Sequence, residues 1–144
     1  MLKRTLLAIS LIFFSIASFA NQSPTGSWTT YDDKTKDKSG IVNITMSNGV
    51  LYGTVTKIYP GGDRKPDGKC EKCPGKFKDK PVKGIRFLWG LKKTKENYWS
   101  GGKILDPKEG KIYTASAKLI DGGKKMQVRG YWGPFFRTQT WVRR

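Results

Sequence analysis

The sequence predicts an all-β protein: a small antiparallel meander closing into an eight-stranded barrel, preceded by a cleaved export signal. Three observations carry this reading. Beyond residue 24 the chain shows almost no 3.6-residue periodicity, and short runs rich in β-branched and aromatic residues alternate with turn clusters. Eight such runs can be drawn with mostly short connections, and eight strands close around an interior that side chains nearly fill. Residues 21–144 also suit one domain with a single core.

The first residues, Met1-Leu-Lys-Arg4, are basic, and the run 5–19 is largely apolar. Ser18-Phe-Ala20 then places small residues where a signal peptidase reads them. The expectation is a signal peptide over residues 1–20, cleavage before Asn21, and a periplasmic protein. The run is short against the roughly 20 residues that a spanning helix needs. No cysteine follows the site to carry a lipid anchor, and no later segment is apolar enough to cross a bilayer.

The strands are expected at residues 25–31, 40–46, 50–59, 83–90, 97–105, 111–119, 125–130 and 137–142. In the second, Val42, Ile44 and Met46 share one face, as period-2 alternation requires. Asn48-Gly49 is a hairpin signal and Asp121-Gly-Gly123 a second turn. Asp32-Asp33 opens a polar turn, and Asp106-Pro107-Lys-Glu-Gly110 reads as a hairpin loop. The last two strands, joined at Gly133-Pro134, bring Arg129, Arg137 and Arg143 close in sequence to Tyr131, Trp132, Phe135, Phe136 and Trp141. Arginine is planar and permanently charged, so it stacks on aromatic faces or holds carboxylates in a fork.

The connection at 60–81 is the long one, with Pro60, Pro66, Pro74 and Pro81 and only Phe77 as an apolar anchor. Connections of that length tend to be functional or mobile. Cys70 and Cys73 sit at its centre and most simply pair with each other in an exported chain, pinning a loop tip. A redox-active Cys-x-x-Cys is the second reading, although no helix or thioredoxin-like pattern accompanies it. A metal site is the third, and the chain offers no histidine or second cysteine pair to complete a tetrahedron.

The formal charge of the whole chain is +17, and loss of Lys3 and Arg4 lowers it to +15. Such a surface attracts anions in general. The lysines are spread over almost every turn without forming a stripe, and an export signal argues against nucleic acid as a partner. The absence of histidine excludes Ser-His-Asp and Cys-His catalysis. Paired carboxylates remain open through Asp32, Asp33, Asp106 and Glu109, but turn roles explain these residues better. No cofactor is expected.

The motifs in order are Gly26-Ser-Trp28, Asp32-Asp33, Lys38-Ser39, Leu51-Tyr-Gly53, Cys70-x-x-Cys73, Gly102-Lys-Ile-Leu-Asp-Pro107, Gly110-Lys-Ile-Tyr113, Val128-Arg-Gly-Tyr131 and Arg137-Thr-Gln-Thr-Trp141. Together they resemble the bacterial domain-of-unknown-function 2147 family, with Gly133-Pro-Phe-Phe136 as a departure from its small final turn. That resemblance implies a small exported protein and no assigned activity. The chain also resembles the calycins (lipocalins, fatty-acid-binding proteins, avidins), in which a Gly-x-Trp on the first strand packs beneath a basic residue of the last. Trp28 with Arg143 or Arg137 would fill those parts here.

The leading functional expectation is a monomeric, non-enzymatic envelope protein binding a lipid or other amphipathic molecule in the cup or at the rim. Candidate ligand or barrel-end residues are Trp28, Asp106, Arg129, Arg137, Trp141 and Arg143. Gly53, Gly101, Gly102, Ala115 and Ala117 would leave interior room if they face inward, or would let a narrow barrel close around Trp28, Phe87, Trp89 and Trp99. The alternative is a basic module for anionic envelope glycans, lipids or proteins. An enzyme with carboxylate or thiol chemistry is the least supported.

Overall fold

Eight strands run in simple sequence order around one closed antiparallel sheet. They are β1 Gly26–Tyr31, β2 Lys38–Ser47, β3 Val50–Ile58, β4 Arg86–Lys95, β5 Tyr98–Asp106, β6 Lys111–Ile120, β7 Lys125–Trp132 and β8 Phe135–Arg143. The structure is a computed structural model, and it describes residues 10–15 and 22–144. The expected cleavage site at Ser18-Phe-Ala20 lies outside the described residues. Among those described, no helix is long and apolar enough to cross a membrane.

The expected strands are present, with shifted ends. β4 starts at Arg86 instead of residue 83, and the last two strands run on to Trp132 and from Phe135. Gly133, at φ 55°, makes the corner with Pro134 alone, so the final hairpin is tight although its tip carries bulky side chains.

Alternation along the ladders puts one set of side chains inside. Trp28, Val42, Ile44, Leu51, Leu88, Leu91, Trp99, Ala115, Ala117, Leu119, Met126, Val128 and Trp141 are buried in one cluster. Bulges in β4 aim Leu88 and Leu91, three residues apart, at Gly53 and Leu51 of β3. Their side chains fill the space that the glycines leave. A Cβ on Gly53 would lie 3.0 Å from the Leu88 Cβ and 3.1 Å from the Ile44 Cδ1. At Gly102 it would strike the Leu91 side chain and the Trp89 carbonyl oxygen, and would lie 2.7 Å from the Leu91 nitrogen. Interior room at these two positions is therefore already taken. Gly101 (φ +76°) faces open space, and Trp89 pairs with Lys103 on the outer side of the sheet; both differ from the inward placement considered for them. Because backbone cannot retreat as a side chain can, Gly102→Ala is expected to cost about 1–3 kcal/mol in urea melts. A neutral result would mean that β4 is free to shift.

The segment between β3 and β4 corrects the picture of a polar, weakly anchored loop. Cys70 is 0% and Cys73 3% exposed, and both belong to the main hydrophobic cluster. They form a disulfide with Cα atoms 5.3 Å apart. Phe77 packs on Trp89 with ring centroids 5.6 Å apart. Leu105 alternates with the inward Ile104, yet it is only 1% exposed, so the segment covers the outer side of β4 and β5. Its backbone is tied internally: Cys70 N donates to Lys80 O (2.7 Å), Asp79 N to Cys70 O (3.0 Å) and Val82 N to Gly68 O (2.9 Å). At Gly110 (φ +69°) the backbone passes so close to the Lys72 carbonyl that a Cβ could not fit.

Candidate functional site

Strands alternate in direction, so the two ends of the barrel collect different connections. One end gathers residues 22–25, the short turns after β2, β4 and β6, and the end of β8. The other gathers 32–37, the Cys-bearing segment, 107–110 and the Gly133-Pro134 corner.

The first end is sealed. Trp28 is fully buried and donates its indole N–H to Pro24 O at 3.0 Å. Opposite it in the ladder stands Arg143, with its guanidinium carbon 4.3 Å from the Trp28 ring centroid. The same guanidinium donates to three carbonyls: Gly123 at 2.8 Å, Thr25 at 2.8 Å and Ser23 at 2.6 Å. One planar cation thus covers an indole face and ties both the 22–25 segment and the β6–β7 turn to the end of β8. Of the two arginines considered for this part, Arg143 fills it and Arg137 stands at the other end.

There Arg137 reaches two carboxylates, Asp33 through Nε at 3.3 Å and Asp106 through Nη2 at 3.5 Å. Asp33 also accepts from Gln139 Nε2 at 3.3 Å, and Gln139 in turn accepts from the Trp141 indole N–H at 3.2 Å. Trp141 is buried against Phe87, with ring centroids 5.9 Å apart. A chain of contacts therefore leads from the core to the rim.

Asp106 and Asp32 perform the turn roles expected of them. Asp106 Oδ1 accepts from the backbone of Lys108 (2.9 Å) and Glu109 (3.4 Å). Asp32 Oδ1 accepts from Lys34 (2.8 Å) and Thr35 (2.9 Å), while its Oδ2 meets Arg64 Nη1 at 2.7 Å. The Thr35 and Lys34 amides, with Arg64 adding to them, hold the Asp32 carboxyl below its ordinary pKa. These carboxylates are engaged by turns and cations. Arg129 lies on the outer side, stacked 4.4 Å from the Phe136 ring centroid and donating to Thr138 Oγ1 at 2.8 Å.

Aromatic groups rise around Arg137. Tyr113 packs on Trp132 (5.6 Å) and Trp132 on Phe135 (6.3 Å). Tyr113 donates to Glu109 at 3.0 Å, and burial together with this carboxylate raises its pKa. Trp132, Phe135 and Phe136 remain 46%, 62% and 55% exposed. Their exposure escapes sequence reading, because only the tightness of the corner forces them out. Ladder pairing between β1 and β8 is confined to Trp28↔Arg143 and Thr29↔Val142. Beyond it, a cleft of about 300 Å³ lies between Tyr31, Asp33, Lys36, Thr138, Gln139 and Thr140. Within the wall, the buried Trp99 indole N–H has no acceptor among the described residues.

A closed eight-stranded meander, sealed at one end by a first-strand tryptophan under a last-strand arginine and aromatic at the other, is a calycin-type barrel. The chain belongs to the family described as "Uncharacterized protein conserved in bacteria (DUF2147)", which it matches over residues 26–143, from β1 to β8. Among solved structures it is similar to protein HP1028 from the human pathogen Helicobacter pylori, described as belonging to the lipocalin family. The TM-score is 0.71 at 23% identity, covering 85% of this chain and 83% of that one. At that identity the likeness bears on the fold. No curated protein matches.

Proposed function

We propose that the protein is an exported, monomeric, non-enzymatic binder of an apolar or amphipathic molecule, taken at the aromatic end of its barrel. The observation that carries this is the asymmetry between the two ends. One is filled and sealed by Trp28 and Arg143, and the other presents Trp132 and Phe135 to water beside the cation of Arg137. An apolar chain lies against the aromatic rings, and an anionic head replaces Asp33 or Asp106 at the guanidinium. Exposed aromatic clusters of this kind mark binding surfaces more often than accidents of packing. Periplasmic export rests on the basic and apolar leader.

Titration with dodecanoic acid and dodecanol, read by tryptophan fluorescence, tests the reading. Both should bind, the acid more tightly. Arg137→Gln should weaken the acid by roughly tenfold, the scale of one charge-assisted hydrogen bond, and leave the alcohol unchanged. Absence of binding by both up to their solubility limits would defeat the proposal.

A further inference from the structure

We propose a second site, for the phosphate-bearing head of an amphiphile, in the groove at the root of β4. This groove of about 490 Å³ is flanked by the cations Lys76, Lys80, Lys83 and Arg86 and floored by Phe77 and Ile85. It lies outside the barrel wall, on the segment that also carries Cys70 and Cys73. The proposal stands independently of a ligand at the aromatic end.

The charge pattern is local and one-signed. The stretch 76–86 holds a single acid, Asp79, and it is absent from the groove lining. Among the described residues, no carboxylate lies within ion-pair distance of the four cations. Lys76 rests 5.3 Å from the Phe77 ring centroid, and the Arg86 guanidinium carbon lies 4.4 Å from that of Tyr52. Four unneutralised cations around one concavity repel one another, and a group of high charge density relieves that repulsion. A phosphate monoester carries about −1.5 to −2 charges and three strong acceptor oxygens, which suits several lysines and the planar fork of one arginine. A single carboxylate would leave most of the cations unanswered.

The groove is held ready for its ligand. Lys80 is fixed on both sides, its N–H donating to Phe77 O at 3.2 Å and its carbonyl accepting from Cys70 N at 2.7 Å. Gly84 N donates to Val55 O at 2.7 Å, and Val55 N to Ile85 O at 3.0 Å, which carries the β3–β4 pairing back ahead of the start of β4. The buried disulfide anchors the other flank. The backbone of the groove needs little further ordering on binding. The apolar floor distinguishes this groove from a plain anion site, because it offers the first methylenes of a chain a surface beside the head.

The test uses dodecyl phosphate below its micellar concentration, inorganic phosphate and neutral dodecyl maltoside, followed by calorimetry on the full barrel. Dodecyl phosphate should bind at least tenfold more tightly than inorganic phosphate, and affinity should fall as salt rises. Lys80→Gln with Lys83→Gln should weaken it at least tenfold. Lys92→Gln with Lys93→Gln, an equal loss of charge on the far part of β4, should change it less than twofold. Both doubles should melt like the parent, and each is compared in the Arg137→Gln background, where the aromatic end has lost its anion contact. Equal losses in the two doubles would show attraction to net charge alone and overturn the site. Equal affinity for inorganic and dodecyl phosphate, or a Lys80–Lys83 double that weakens the maltoside as much as dodecyl phosphate, would remove the phosphate-bearing amphiphile as its ligand.

Discussion

Trp28→Ala should lower the stability of the barrel by about 3–5 kcal/mol, the cost of removing a large aromatic group from a packed core. The indole is fully buried, its N–H is satisfied by Pro24, and its face carries Arg143. Arg143→Ala should cost less, about 1–2 kcal/mol, through the lost stacking and stem packing. Three carbonyls also lose their donor, but solvent can reach that end and replace it. The two changes should be non-additive by 0.5 kcal/mol or more, since each removes the other's partner. Arg137→Ala, at the opposite end, should add to Trp28→Ala within about 0.5 kcal/mol. Urea melts of the five variants complete the cycle. Additivity of the Trp28–Arg143 pair would contradict closure through their contact.

Replacing both Cys70 and Cys73 by serine should cost about 2–4 kcal/mol in the same assay. The ring is small, so the chain-entropy contribution stands at the low end of the disulfide range. The rest comes from placing two hydroxyls where the sulfurs are buried among apolar groups. Reduction of the parent protein should reproduce the entropic part alone and so give a smaller loss. A double variant within 0.5 kcal/mol of the parent would return the segment to the role of a loop pinned at its tip.

The barrel was legible because its signals are local. Val42 and Ile44 alternate, Asn48-Gly49 turns the chain at φ 51° and 76°, and each later hairpin has its own turn residues. The partner of Trp28 was legible too, once strand direction is followed. Trp28 stands near the start of β1, an antiparallel neighbour ends where β1 starts, and β8 ends at Arg143. Arg137 shares the inward parity of Arg143, but six residues of strand carry it about 20 Å away.

The burial of Cys70 and Cys73 had no such signal. It depends on Leu105 and Trp89 facing outward on β5 and β4 and needing a cover, which the polar composition around the cysteines conceals. The filling of Gly53 and Gly102 depends on the β4 bulges, and Gly90 (φ 76°), a glycine inside a strand, is the one residue that hints at them. The rim was half legible. Asp33, Asp106, Arg137 and the aromatics were all visible as residues, but their convergence needs the barrel to close.

Amide and indole chemical-shift mapping during titration with dodecanoic acid tests the division of the barrel into a sealed end and a receiving end. The largest changes should fall on Tyr113, Trp132, Phe135, Arg137 and Gln139, while Trp28, Gly123 and Arg143 stay within the scatter of the remaining residues. Saturable shifts centred on Trp28 and Arg143, with the Trp132 indole unmoved, would contradict it.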